Sequence, residues 1–205
     1  MTTPGLTFYT NPKSRGRIVR WMLEETGAPY ATEVLEYGTT MKAAPYLAIN
    51  PMGKVPAIRH GATVVTECAA ICAYLADAFP QAGLAPPVHS AARGTYYRWL
   101  FFAAGPLEAA WTNQALGVVV PPERSAMVGY GSFERVLDVL EGAIGAHEYL
   151  VDDRFSAADV YVGSQLGFGM QFGMIDKRPS FARYLAGLEA RPAKQRAEQL
   201  DGAMG

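Results

Sequence analysis

The residues best placed to do chemistry lie between positions 50 and 75. The run reads Asn-Pro-Met-Gly-Lys-Val-Pro-Ala-Ile-Arg-His-Gly-Ala-Thr-Val-Val-Thr-Glu-Cys-Ala-Ala-Ile-Cys-Ala-Tyr-Leu. Glu67 and Cys68 stand where a strand pattern gives way to a helical one. The amides that open a helix have no partner inside it, and the helix dipole favours negative charge there, so this junction is equipped to hold a carboxylate. Val55 precedes Pro56 at the entrance of the first strand, where a proline must occupy an edge or a turn. A cis Val55-Pro56 bond would bend the chain and leave the Val55 backbone free to pair with a group from outside.

The elements that must position these residues follow from periodicity. Apolar runs at 55–58 and 63–65 flank a turn at His60-Gly61, a hairpin pattern. Ala70, Ile71, Tyr74 and Leu75 recur at spacings of three and four, which predicts an amphipathic helix closing near Phe79-Pro80. Upstream, residues 6–9 form a short strand, broken by Asn11-Pro12-Lys13-Ser14-Arg15-Gly16. Ile18, Val19, Met22 and Leu23 then mark a helix face that Gly27 and Pro29 terminate. A strand at 32–35 completes a β-α-β unit, and 41–49 is a short helix interrupted by Pro45. The order is β-α-β-α-β-β-α.

Residues 81–88, with Pro86-Pro87, read as a linker, and the chain beyond is helical. A helix at 91–116 carries Tyr96, Tyr97, Trp99, Leu100, Phe101 and Phe102, and Gly105-Pro106 should bend or break it. A second helix spans 123–146. Phe155-Ser156-Ala157-Ala158-Asp159 reads as a capping box, Ser156 capping and Asp159 answering, with Phe155 and Val160 as a hydrophobic staple. That assigns Asp159 a structural role and opens a helix at 157–172. Residues 180–189 and those after Pro192 supply the last helices.

Composition bounds the rest. Half of the 205 residues are apolar, enough for one large domain or two modest ones with a proper core. A net charge of −1 offers no electrostatic case for nucleic acid or membrane binding. With no run of 18 apolar residues and no basic segment leading into an apolar one, the expectation is a cytoplasmic protein. Cys68 and Cys72 lie four apart on one helix, a poor geometry for a disulfide. With His60, His89 and His147 scattered, they make no metal site.

The run Asn50-Pro51-x-Gly53-Lys54-Val55-Pro56, followed by Glu67-Cys68-x-x-Ile71-x-x-Tyr74-Leu75, resembles the glutathione-binding half of the glutathione S-transferase family, of the bacterial-type cytosolic kind. The resemblance implies an α/β plus all-α fold: a thioredoxin-like domain at 1–80, a linker at 81–88 and an all-helical domain at 89–205. It implies a homodimeric transferase that uses glutathione as co-substrate, needs no metal, and conjugates a small hydrophobic electrophile or reduces a peroxide. By the same resemblance Val55 before Pro56 pairs with the cysteinyl backbone of glutathione. Glu67 and Cys68 hold the γ-glutamyl end, and Lys54 and Lys42 meet the glycyl carboxylate.

A free thiol is only a few per cent thiolate at neutral pH, so the site needs a donor to the sulfur. Ser14, just before the first helix, is the candidate; as a bare helix cap it would have no such role. Tyr9 is the competing hydroxyl and Asn11 a third option. Tyr9, Tyr97, Phe101 and Trp111 are the expected walls of the electrophile pocket. The family usually has Ser after its Glu or Gln, so Cys68 is a departure, and a thiol donates more weakly than a hydroxyl. That departure keeps open a non-catalytic binding or structural protein of the same fold, and a glutathione-dependent isomerase is a further alternative.

Overall fold

The computed structural model describes residues 5–145 and 147–204. Strand β1 (Leu6–Thr10) alternates as a strand must, with Phe8 packed beside Tyr30 and Tyr9 in a separate cluster with Leu35, Met41, Tyr46 and Ala57. Helix α1 (Gly16–Thr26) buries Ile18, Val19, Met22 and Leu23, the face its spacing predicts, and Gly27 ends it in the left-handed conformation. Strand β2 (Ala31–Val34) lies parallel to β1, one residue earlier than expected.

Pro45 does not interrupt a helix but sits in the first turn of a short one, α2 (Ala44–Leu47), where its missing N–H costs nothing. A separate 3₁₀ turn at Thr40–Lys42 precedes it. Strands β3 (Ala57–His60) and β4 (Thr63–Thr66) form the hairpin, its pairing starting at Ala57 and not Val55. Helix α3 (Cys68–Ala78) follows directly. The sheet order is β2-β1-β3-β4, with β1 antiparallel to β3 through Phe8 opposite Ile58.

The chain divides into two compact units, and the division differs from a simple N- and C-terminal split. One holds the residues up to Leu84 together with those from Arg191 onward. Helix α9 (Pro192–Gly202), expected with the helical domain, packs on α1 beside the sheet. Buried apolar surface on α1 needs a cover, and α9 supplies Ala193 and Ala197 to it.

The second unit, Ala85–Ala190, is helical. Helices α4 (Ala92–Phe102) and α5 (Glu108–Ala115) are joined by one π-helical turn, Ala103–Leu107. Pro106 therefore does not break the path: the wide turn accommodates a residue without an N–H. Helix α6 (Phe133–Gly145) starts ten residues later than expected, after a 3₁₀ turn at Pro122–Met127 and two glycines, Gly129 and Gly131. Its expected end, Ala146, lies outside the described residues. Helices α7 (Ala157–Gln171) and α8 (Pro179–Glu189) complete the unit.

The capping box is present. Ser156 Oγ accepts from Ala158 N, and Asp159 answers through the Ser156 N–H at 2.9 Å. Asp159 also accepts from Leu150 N and Tyr184 Oη, each at 2.9 Å, and from Ser156 Oγ at 3.0 Å. Burial pushes its carboxyl pKa up, and these donors pull it back. Its partners are all structural, as the sequence pattern implies. Among the described residues no helix is long and apolar enough to cross a membrane.

Candidate functional site

The hairpin sets up the site. Ala57 pairs with Thr66, so the residues just beyond, Val55-Pro56 and Glu67-Cys68, emerge at the same end of the sheet. The Val55-Pro56 bond is cis. The Val55 N–H and C=O make no hydrogen bond among the described residues and are available to a ligand. Helix α3 opens without a side-chain cap. Glu67, the residue joining β4 to α3, has φ +65° and ψ 122°, and its exposed side chain makes no hydrogen bond among the described residues. A non-glycine residue held there costs about 1–3 kcal/mol, and such strain gathers at ligand sites. Cys68 is only 8 % exposed, and its thiol turns inward to the Arg15 carbonyl at 3.9 Å. That contact ties the start of α3 to the start of α1.

The turn before Val55 is braced from below. The Lys54 carbonyl accepts from Tyr46 Oη at 2.5 Å and Asn50 Nδ2 at 2.8 Å, which fixes the peptide leading into Val55. Asn50 Oδ1 accepts from Met52 N at 3.1 Å. Lys42 Nζ donates to the Gly53 carbonyl at 2.6 Å, so this ammonium braces the loop it was expected to leave for a ligand carboxylate. A Cβ at Gly53 would lie 3.0 Å from Lys42 Nζ and from the Met41 carbonyl, and its φ is +56°. Only glycine fits there without strain. Lys54 keeps an exposed side chain. Tyr46 was not foreseen as part of this support. An isolated Tyr in a short helix carries no signal of its own, and burial pushes its phenol up to about 12, which keeps it a donor at neutral pH.

Ser14 lies in the loop between β1 and α1. Its hydroxyl donates to the Asn11 carbonyl at 2.6 Å and accepts from Gly16 N at 2.9 Å. The N-cap position itself is Arg15, whose side chain makes no cap hydrogen bond, so Ser14 is not a standard cap. Accepting from an N–H strengthens the hydroxyl as a donor, although its proton now faces Asn11. Asn11 is committed: Nδ2 donates to the Leu35 carbonyl at 2.8 Å and Oδ1 accepts from Lys13 N at 2.9 Å, which fixes the loop. A Cβ at Gly16 would fall 2.0 Å from Thr10 Oγ1, so glycine lets α1 approach β1 this closely.

Tyr9 requires correction. It is 1 % exposed, with its ring 5.7 Å from that of Tyr46, a core residue with no face for an external thiol or electrophile. Of the remaining pocket candidates, Tyr97 and Phe101 lie one helical turn apart on α4 and are 40 % and 70 % exposed, while Trp111 is half-buried on α5. Cys72 is fully buried, and burial holds its thiol well above the ordinary range, which suits packing and not reaction. Among the described residues no three His, Cys, Asp or Glu side chains converge as a metal ion would require.

One end of the sheet thus presents a free strand-edge backbone at Val55, an uncapped helix start at Glu67 and Cys68, and a hydroxyl at Ser14. Comparison with known proteins points the same way. Residues 15–78 match the glutathione S-transferase N-terminal domain and residues 111–192 the C-terminal domain. Glutathione S-transferase GstA of Escherichia coli O157:H7 is 29 % identical over 159 residues, 77 % of this chain and 78 % of that protein. A glutathione transferase structure from Methylococcus capsulatus is 32 % identical, covering 97 % of this chain and 99 % of that one with a TM-score of 0.81. A sphingomonad glutathione S-transferase, solved with glutathione bound, superposes with a TM-score of 0.79 at 27 % identity over 96 % of this chain and 98 % of that one. The chain belongs to the glutathione S-transferase family.

Proposed function

We propose that the protein is a homodimeric transferase that binds glutathione, favours its thiolate and conjugates it to a hydrophobic electrophile. The observation that carries the binding is Glu67, held at φ +65° where β4 turns into the uncapped α3. Backbone amides at this helix start take the γ-glutamyl carboxylate, and the exposed Glu67 carboxylate takes the neighbouring ammonium. The free N–H and C=O of Val55 pair with the cysteinyl backbone as an added strand would. Lys54 meets the glycyl carboxylate, and Lys42 acts one step back by holding the turn.

Ser14 supplies the chemistry. Its proton leaves the Asn11 carbonyl and turns to the sulfur, while Gly16 N–H continues to polarise the oxygen. Lowering a thiol pKa by about two units needs about 2.7 kcal/mol, within reach of one charge-assisted hydrogen bond and a nearby helix start. The thiolate then attacks the electrophile, its S–C bond forming as the leaving group departs with the displaced electron pair.

A second reading has its own support: the bond from Ser14 Oγ to the Asn11 carbonyl already satisfies the hydroxyl, as in a protein that binds glutathione without activating it. Ser14→Ala separates the two. Under the catalytic reading, the pKa of bound glutathione, followed by thiolate ultraviolet absorbance, rises by about one to two units. Turnover at neutral pH falls in proportion and recovers at high pH. An unchanged thiol titration in Ser14→Ala overturns the catalytic role.

A further inference from the structure

A deeply buried ion pair lies away from the residues proposed to bind the ligand. Arg20 Nε donates to Asp201 Oδ1 at 3.1 Å, and both side chains are 2 % exposed. Arg20 Nη1 donates to Tyr30 Oη at 3.1 Å and to Thr32 Oγ1 at 2.8 Å, and Nη2 reaches Met204 Sδ at 3.7 Å. The guanidinium carbon stands 4.9 Å from the Phe8 ring centroid and 5.5 Å from that of Tyr30. One planar cation therefore joins α1 to β1, to β2 and to the last turn of α9. Asp201 is the carboxylate that compensates it. Other ion pairs at α9, Arg191 at its N-cap with Glu25, Arg196 with Glu24 and Lys194 with Glu198 along the helix, are partly exposed and screened by solvent.

Arg20 is four residues beyond Gly16, on the same stripe of α1. That stripe meets the sheet, with Gly16 against Thr10 and Arg20 against Phe8 and Thr32. Whatever sets the seat of Arg20 sets the distance of the first turn of α1 from β1, and with it the loop that carries Ser14. We propose that Asp201 is a positioning residue for the thiol-activating loop at residues 11–16, acting through Arg20 and α1. Removing its charge leaves the guanidinium buried with the hydroxyls of Tyr30 and Thr32 and, among the described residues, no carboxylate against it. The cation then moves toward water and takes the face of α1 with it. This inference rests on the glutathione-activating reading above for its effect on catalysis, and on the fold alone for its effect on the loop.

The test uses the full chain with Asp201→Asn, and Asp201→Glu as the conservative control. Where Asp201→Asn does not accumulate folded, Arg20→Met with Asp201→Leu removes both charges and leaves no buried ion behind. Two readouts are taken. Amide hydrogen exchange follows residues 11–18, whose amides at Ser14, Gly16, Arg17 and Ile18 are hydrogen-bonded. The titration of bound glutathione and steady-state kinetics follow the thiol. We expect faster exchange at residues 11–18 and a thiol pKa raised by about one unit. We also expect kcat at neutral pH to fall by about tenfold, against the hundredfold that a 1 Å misplacement can cost. The KM for glutathione should barely move, and Asp201→Glu should restore most of the loss. Faster exchange in α9 alone, with residues 11–18 and the thiol titration unchanged, would overturn the proposal. If the unsubstituted protein takes up no glutathione, the transferase reading fails by itself, and exchange at residues 11–18 still decides whether Asp201 holds the loop.

Discussion

Glu67 offers a test in which stability and function should move in opposite directions. Its φ of +65° with ψ of 122° lies outside the regions open to ordinary residues, at a cost of about 1–3 kcal/mol. Glycine adopts such angles freely but loses roughly 0.5–1 kcal/mol more backbone entropy on folding. The Glu67 side chain makes no hydrogen bond among the described residues, so truncation breaks no internal bond. Its charge at a helix start contributes at most about 0.3–1 kcal/mol, less when exposed and screened. The balance for Glu67→Gly is a stabilisation of about 0.5–1 kcal/mol. For a chain of this length that raises the melting temperature by roughly 2–4 °C per kcal/mol. The same change deletes the carboxylate assigned to the ligand ammonium, a charge-assisted contact worth about 1.5–3 kcal/mol. Thermal unfolding of the free protein and calorimetric titration with glutathione measure the two effects. The expected result is a higher melting temperature with affinity reduced at least tenfold. A lower melting temperature would show that the strain assignment is wrong, and unchanged affinity would show that Glu67 does not face the ligand.

Asp159→Asn should lower the urea midpoint by an amount equivalent to about 1.5–3 kcal/mol, since an amide cannot accept from Leu150 N, Ser156 N, Ser156 Oγ and Tyr184 Oη together. Because burial raises the folded pKa of Asp159, the folded chain holds this proton more tightly than the unfolded one. Its contribution is therefore greatest below the unfolded value of about 3.9 and declines as pH rises through the folded value, a trend that Asp159→Asn should lack in unfolding curves across pH. Lys54→Met and Lys42→Met should both weaken glutathione binding, but only the Lys54 variant should lose the salt dependence of Kd, because Lys42 already donates to Gly53. Equal salt slopes in both variants would refute that division. Sedimentation of the purified protein at micromolar concentration should give a species of twice the chain mass of 22.1 kDa, and a single monomeric species would reject the homodimer.

Much of this protein is determined locally, and those parts were legible in the sequence. The α1 stripe of Ile18, Val19, Met22 and Leu23 is a period-3.6 pattern, although the folded chain buries Arg20 and Trp21 as well, and Gly27 closes it by its tolerance of positive φ. The Ser156–Asp159 box needs only the geometry of one helical turn. The Asn50-to-Val55 turn and the strand-to-helix junction at Glu67 lie within a single hairpin unit, so the backbone proposed to meet the ligand follows from neighbours in sequence. Tertiary structure decided what depends on partners far along the chain. Tyr9 and Ser14 are both plausible hydroxyls by position. Alternation along β1 put Tyr9 in a core with Leu35, Met41 and Tyr46, while Ser14 remained in the loop at the head of α1. Lys42 lost its apparent freedom to a carbonyl eleven residues away. The seat of α9 was hidden because its partner Arg20 is 181 residues from Asp201, and a buried guanidinium reveals its counter-charge only once the chain has folded. Short-range order follows from residue type and spacing, whereas the choice among chemically equivalent groups follows from which of them the core excludes water from.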